Sequence, residues 1–197
     1  MDNYWMHPAI PLLLGSLMLP FLNQRLRQVA LVVLPAFGLL NVIGLGRADA
    51  ADVSRYMDFA GYTLDVLRVD KLSLLFGYLF HVAALIGGIY SFHVKDRMQL
   101  FTGVAYAGSA VGAVFAGDLL TLFLFWELLA VTSVFLVWAG KGAEARRAGG
   151  RYLLAHISSG LLLLIGTALM VSETGALPAF GHMELDSAAT WMIFLAF

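Results

Sequence analysis

The strongest constraint on this chain lies between Gly117 and Trp138, in the stretch GDLLTLFLFWELLAVTSVFLVW. From Leu119 to Trp138 it is apolar apart from Thr121, Glu127, Thr132 and Ser133. A helix of that length rises ~30 Å, the thickness of a bilayer's hydrocarbon core. A helix apolar on every side belongs in lipid or deep inside a large core. Glu127 falls close to the midpoint of the stretch. An ionised side chain there costs roughly 2.5–3.5 kcal/mol on insertion scales, so it must be protonated or paired. A carboxyl that gains and loses a proton in mid-membrane is what a proton relay needs. The other reading is a Glu pinned to a neighbouring helix by a salt bridge, or one facing a lipid-filled defect. Intramembrane ionisable groups are functional by default, which favours the relay. Thr121, Thr132 and Ser133 read as helix–helix hydrogen-bonding groups.

The rest of the chain repeats the apolar theme. Hydrophobic residues make up 60% of it, and charged residues, at 13%, cluster between apolar runs. With a mean hydropathy of +0.83 this is too apolar for an ordinary soluble domain. There is no basic tract and no interleaving of basic and aromatic residues, so nucleic acid is not an expected partner. The absence of cysteine removes disulfides, thiolate metal sites and cysteine nucleophiles. The expected fold is all-α: a polytopic transmembrane helix bundle of six spans plus the start of a seventh, with a short extracytoplasmic hairpin.

The first apolar run, Met6 to Leu22, is interrupted by Pro8, Pro11 and Pro20 and is read as an imperfect first span rather than a signal peptide, because no basic residue precedes it. Val29 to Gly46, with Pro35, is the second. Partial alternation around Gly61, from Tyr56 to Val66, predicts the hairpin, and Asp49, Asp52, Asp58 and Asp65 read as solvated loop charges. The third span, Leu72 to Phe92, carries His81 at its centre, either a packing residue or a proton-handling one. The fourth, Leu100 to Ala116, holds a GxxxG at Gly108 and Gly112 suited to close helix approach. The Glu127 helix is the fifth. A connection from Gly140 to Gly150 leads to the sixth, Tyr152 to Val171, with His156, Ser158 and Ser159. After a loop with Glu173, His182, Glu184 and Asp186, residues Ser187 to Phe197 begin a seventh.

Loop charges set the expected orientation. With the N-terminus extracytoplasmic, the inner loops hold Arg25, Arg27, Lys95, Arg97, Lys141, Arg146, Arg147 and Arg151, against Arg47, Arg55, Arg68 and Lys71 outside. His156, five residues beyond Arg151, then lies ~8 Å from the cytoplasmic side, and Glu127 lies ~16 Å from it. His156 is thereby placed to pass protons between cytoplasm and carboxylate, or else to hydrogen-bond Ser158, Ser159 or a carbonyl.

Four segments carry a family likeness: DKLS at 70–73, GDLLT at 117–121, FWEL at 125–128, and RYLL at 151–154 continuing to SSGLLLLIG at 158–166. In this order and spacing the chain resembles the antiporter-like subunits of the proton-translocating NADH dehydrogenase and Mrp antiporter superfamily. RYLLAH at 151–156 and GHMELD at 181–186 look most like the D subunit of Mrp-type monovalent cation/proton antiporters. The resemblance covers residues 65 to 197.

The likeness implies about fourteen helices in the whole protein, with two inverted five-helix repeats and broken helices. Glu127 matches the family's fifth-helix glutamate, which works with a lysine on the broken seventh helix. That lysine is expected in sequence beyond Phe197, with the chain a fragment of a longer subunit or the first part of a split one. Residues 1–69 would form two helices and a polar loop, and residues 70–197 the start of the translocation domain. The expected role is that of a membrane subunit of a Na⁺/proton antiporter in a bacterial inner membrane. Its partners are protons, a monovalent cation and other membrane subunits. It has a proton relay at Glu127, His156 and His81, no bound cofactor or metal, and no enzymatic chemistry. The alternatives are a proton-pumping subunit of a complex I-like or membrane-bound hydrogenase assembly, and a non-conducting scaffold.

Overall fold

The computed structural model describes residues 6–48, 55–59, 61–140, 142–177, 180 and 183–197. Asp49, Asp52, Lys141 and His182, all named above, lie outside the described residues.

The first apolar run folds as helix α1, Ile10–Met18, running into a 3-10 turn, Leu19–Phe21. Prolines bracket it: Pro11 stands in its first turn, and Pro20 ends the regular helix in the 3-10 turn. It is shorter than the membrane-crossing length expected for Met6 to Leu22. Asn23 then caps α2, Gln24–Leu45, by accepting from the Leu26 N–H at 3.0 Å. The hairpin follows, with β1 at Arg55–Phe59 paired antiparallel to β2 at Tyr62–Leu67, turning through Gly61 at φ 85°. A positive φ there suits glycine alone without strain.

Asp70 opens α3, Lys71–Tyr90, with a capping box: its carboxylate accepts from the Ser73 N–H at 2.8 Å while the Asp70 N–H donates to Ser73 Oγ at 2.8 Å. The DKLS motif is therefore a helix start. After a 3-10 turn at Ser91–His93, Asp96 caps α4, Arg97–Phe115, and Asp118 caps α5, Leu119–Ala139. Helix α6, Ala143–Thr174, begins well before the expected Tyr152, so most of the connection predicted between Gly140 and Gly150 is helical. Gly142, at φ 98°, marks the break, and the run AEARRA that follows is made of strong helix formers. Ser187 caps α7, Ala188–Ala196.

Among the described residues five helices are long and apolar enough to cross a membrane: α2, α3 with its 3-10 extension, α4, α5 and α6. They leave large apolar side chains bare on their outer faces, among them Leu40 at 66%, Leu72 at 64% and Leu154 at 68% exposure. In water such faces would be unstable; in lipid they are satisfied. The chain is a multi-pass membrane helix bundle.

Its two ends are tied differently. At one end β2 is sewn to the α4–α5 turn: Arg68 N–H donates to Phe115 O and Gly117 N–H to Asp65 O, both at 2.9 Å. At the other, Gln28 Nε2 donates to Phe92 O at 3.2 Å and Arg97 Nη1 to Pro20 O at 3.1 Å. Glycines bring the helices close between these ends. Gly112 of α4 lies under the Phe125 ring of α5, and Gly108 under Leu12 and Leu13 of α1, which is the close approach expected of the GxxxG.

Candidate functional site

Helices α5 and α6 carry the candidate relay groups. Glu127 faces α6 at Gly160, where a Cβ would collide with Glu127 Oε1 and come within 3.0 Å of its Cδ. The carboxyl thus rests on bare helix backbone. Its Oε1 is sealed from solvent and has no hydrogen-bond partner among the described residues.

His156 precedes Gly160 by one turn of α6 and lies within electrostatic reach of the carboxyl. Its ring is stacked between Trp126, at 5.5 Å between centroids and 13°, and Tyr152, at 5.3 Å and 21°. Neither serine expected as a partner holds it: Ser158 Oγ donates to Leu154 O and Ser159 Oγ to Ala196 O. His156 Nε2 is likewise sealed and unpartnered among the described residues. The Tyr152 hydroxyl shares a 2.7 Å hydrogen bond with Ser133 Oγ, so of the three hydroxyls on α5 Ser133 makes the cross-helix bond. Thr132 bonds its own helix at Leu128 O, and Thr121 bonds Asp118.

Contacts between α5 and α6 fix the relative depth: Gly149 packs against Trp138 and Gly160 against Glu127, so His156, one turn before Gly160, lies ~6 Å nearer the Gly140 end than the carboxyl. Helix α7 closes on the same cluster: Phe197 meets the Trp126 ring edge-on at 5.4 Å, and Ser159 Oγ reaches Ala196 O at 2.6 Å. A carboxyl and an imidazole, walled by aromatic rings in a medium of low dielectric, can each hold a proton.

His81 is elsewhere. It is fully buried on α3, its Nδ1 2.7 Å from Gly77 O and its Nε2 against Gly38 of α2. No contact among the described residues joins it to Glu127 or His156. A third histidine escaped the sequence reading. His7 stacks on Phe125 of the FWEL motif at 5.6 Å and 19°, and its Nδ1 accepts from the Ala9 N–H at 3.1 Å. Only its place before Pro8 at the head of an apolar run marked it.

The GDLLT motif is structural. Asp118 is 3% exposed, and it accepts from Thr121 N at 2.7 Å, Thr121 Oγ1 at 2.9 Å and Asp65 N at 2.7 Å. Asp65 is therefore no solvated loop charge. Its Oδ1 is buried, and burial first, then the Asp118 charge, raise its carboxyl above the usual range, with Arg68 acting against them. Asp58 does remain exposed, accepting from Thr63 Oγ1 at 2.8 Å. Asp70 shifts the other way, held below the usual range chiefly by the Ser73 N–H. Among the described residues no three His, Asp or Glu side chains gather as a metal site.

A bundle of membrane-length helices with a carboxyl and an imidazole between two of its spans defines the class: a polytopic membrane protein with ionisable groups inside its helix packing. Residues 116–197 match the family described as NADH:quinone oxidoreductase/Mrp antiporter, TM. The chain is similar to the D subunit of the Na(+)/H(+) antiporter of Bacillus subtilis, 26% identical over 90% of this chain and 38% of that protein. It is also similar to the N subunit of the NADH-quinone oxidoreductase of Desulfitobacterium hafniense, 30% identical over 64% of this chain and 27% of that one. In fold it matches a chain of the Mrp complex from Dietzia sp. with a TM-score of 0.74 at 23% identity, covering 96% of this chain and 22% of that chain. A chain of an archaeal membrane-bound sulfane sulfur reductase gives 0.71 at 18% identity, covering 86% and 37%. The chain spans about two fifths or less of the length of these relatives. It resembles the antiporter-like subunits of this superfamily, the D subunit of Mrp antiporters among them.

Proposed function

We propose that this chain forms part of a membrane subunit of a monovalent cation/proton antiporter in a bacterial inner membrane, with Glu127 as its proton-loading group. The observation that carries this reading is the seat of the carboxyl: mid-span, against the bare backbone of Gly160, with no cation paired to it and His156 one turn away. A salt-bridged structural Glu would have a lysine or arginine at its carboxylate; none meets Glu127 among the described residues. His156, held flat between two rings, supplies the neighbouring proton site. His81 belongs to α2–α3 packing, away from Glu127 and His156. In this reading α1 is a short first crossing ahead of the five long ones, residues 70–197 open the translocation domain, and the N-terminus is extracytoplasmic. Protons and a monovalent cation are the transported species, and other membrane subunits complete the machine.

The test substitutes Glu127 in the full assembly. Glu127→Gln keeps size and hydrogen bonding but removes the titrating proton, so subunit abundance holds while cation-driven proton movement in vesicles is abolished. Glu127→Asp, shorter by a methylene, retains part of it. Normal exchange in Glu127→Gln at normal abundance would falsify the relay. The likeness to the N subunit of NADH-quinone oxidoreductase supports a second reading, a proton pump powered by electron transfer in partner subunits. Purification of the assembly with iron–sulfur subunits, and proton movement that follows electron transfer rather than a cation gradient, decides for it.

A further inference from the structure

We infer that the cavity between α2, α3 and α4 holds an anionic phospholipid, with an acyl chain in the cavity and the headgroup phosphate on Arg27. The site is independent of the Glu127 reading.

The cavity has a volume of about 410 Å³ and reaches from mid-span to the membrane face that carries the α1–α2 and α3–α4 turns. That volume is within the ~300–1,000 Å³ of ordinary ligand clefts. Its walls are chiefly apolar, including Leu31, Ala84, Gly87, Val104 and Ala107; of its polar lining Ser91 and Gln99 lie at the end near that face, and Tyr106 adds a hydroxyl-bearing ring at mid-helix. An elongated apolar slot with polar groups at the membrane surface has the polarity profile of one lipid chain and the start of its headgroup.

Arg27 supplies the second, independent observation. It stands one helical turn from Leu31 on the buried stripe of α2 and is 8% exposed. Its Nε and Nη1 are sealed and have no hydrogen-bond partner among the described residues. A buried guanidinium without an anion is costly, because desolvation is not offset. Among the described residues no carboxylate of the same end answers it: Asp96 is exposed with its Oδ1 engaged by the N–H groups of Met98 and Gln99, and Glu144, in the first turn of α6, is exposed and makes no ion pair with it. Arg25, Lys95 and Arg97 surround this end with further positive charge. A phosphodiester matches the guanidinium fork, and basic pockets between helices at the membrane edge take anionic headgroups. A free phosphate would satisfy Arg27 and leave the slot unfilled; a lipid satisfies both.

The test uses the assembled complex, containing the full-length subunit, in phosphatidylcholine vesicles doped with phosphatidylglycerol that carries a photoreactive acyl chain. The expected result is labelling of α3 or α4 near Gly87 and Ala107, stronger than with the matched phosphatidylcholine probe and unaffected by inorganic phosphate. Arg27→Gln lowers the labelling about fivefold, as expected for one basic residue at a membrane surface. Gly87→Leu is the second variant. A Cβ there meets nothing within 4 Å, so the side chain grows into the cavity without strain and displaces the lipid chain even if Arg27→Gln assembles poorly. Undiminished labelling in Gly87→Leu, or equal labelling by phosphatidylcholine, overturns the proposal. So does competition by inorganic phosphate, which assigns Arg27 to a free anion. Loss of a neighbouring subunit from Arg27→Gln with labelling unchanged overturns it too, assigning Arg27 to a partner's carboxylate.

Discussion

Gly160→Ala isolates the seat of the Glu127 carboxyl from everything else the glycine does. The added methyl lands on Glu127 Oε1, with Cδ of the same side chain at 3.0 Å, while the nearest atom of any other residue, Phe123 Cε2, is at an ordinary 3.6 Å. The obstacle is the far end of a flexible side chain, so the helices need not part. Turning Glu127 aside costs about 0.5–1.5 kcal/mol in rotamer strain. Replacing glycine by alanine inside α6 returns roughly 1 kcal/mol of helix propensity. The two nearly cancel, so subunit abundance should match wild type. Transport should not. A shift of about 1 Å between groups that must align costs on the order of 100-fold in rate. Both quantities are measured on the same membrane vesicles, abundance by immunoblot and exchange by a pH-sensitive dye after a cation pulse. Gly150→Ala, on the same helix with nothing near its Cβ, is the control and should leave both unchanged. Wild-type exchange in Gly160→Ala refutes the claim that the carboxyl works from this seat. A fall in abundance refutes the claim that the contact is soft.

Gly166→Ala should behave oppositely, because its methyl meets rigid backbone, Ala189 O at 2.9 Å and Ile193 N at 3.0 Å. The expected loss is about 1–3 kcal/mol, read as lower abundance or easier proteolysis of α7. Asp118→Ala removes the cap of α5 and the acceptor for Asp65 N–H, and should destabilise by about 1–2 kcal/mol, seen as faster hydrogen exchange in 62–68. Asp65 should make the hairpin pH-dependent. Its folded carboxyl is raised, so the folded state holds that proton more firmly than the unfolded chain does, and the contribution is present at low pH and fades as pH rises through the raised value. Exchange at 62–68 should accelerate over that rise in wild type and lose the step in Asp65→Asn. Ala143→Cys should react with impermeant thiol reagents only in inside-out vesicles; the neighbouring Gly142, at φ 98°, is a poor site for a side chain. Labelling from the outside reverses the orientation.

Long apolar runs are legible because one physical requirement, filling ~30 Å of hydrocarbon, dominates every local preference. The spans α2 to α5 therefore begin and end within a few residues of their hydropathy limits. Where charge meets helix propensity the sequence misleads. Residues Ala143 to Arg151 look like a loop by charge, yet they continue α6, since long arginine side chains tolerate the interface while alanines favour the helix. The pairing of Glu127 with Gly160 was beyond reach, because a glycine's partner depends on helix rotation, which the uniformly apolar faces of α5 do not specify. For the same reason His7 could not be linked to Phe125. Asp65 was misread because its burial comes from Asp118, a partner 53 residues away.

The stitching of β2 to the α4–α5 turn gives α5 a mechanical asymmetry. At its Asp118 end the helix is fastened to the hairpin, to Phe115's neighbourhood and, through Arg68 and Asp70, to the start of α3. At its other end it runs into the glycine break at Gly140 and Gly142. A rod clamped at one end and jointed at the other swings about the clamp. A tilt of about 5° would carry Glu127 ~1.2 Å and Ala139 ~2.7 Å, from a rise of ~1.5 Å per residue. Whatever presses on the α5–α6 corner from outside the chain thus acts on the carboxyl through a lever arm, with more than half the motion geared down before it arrives.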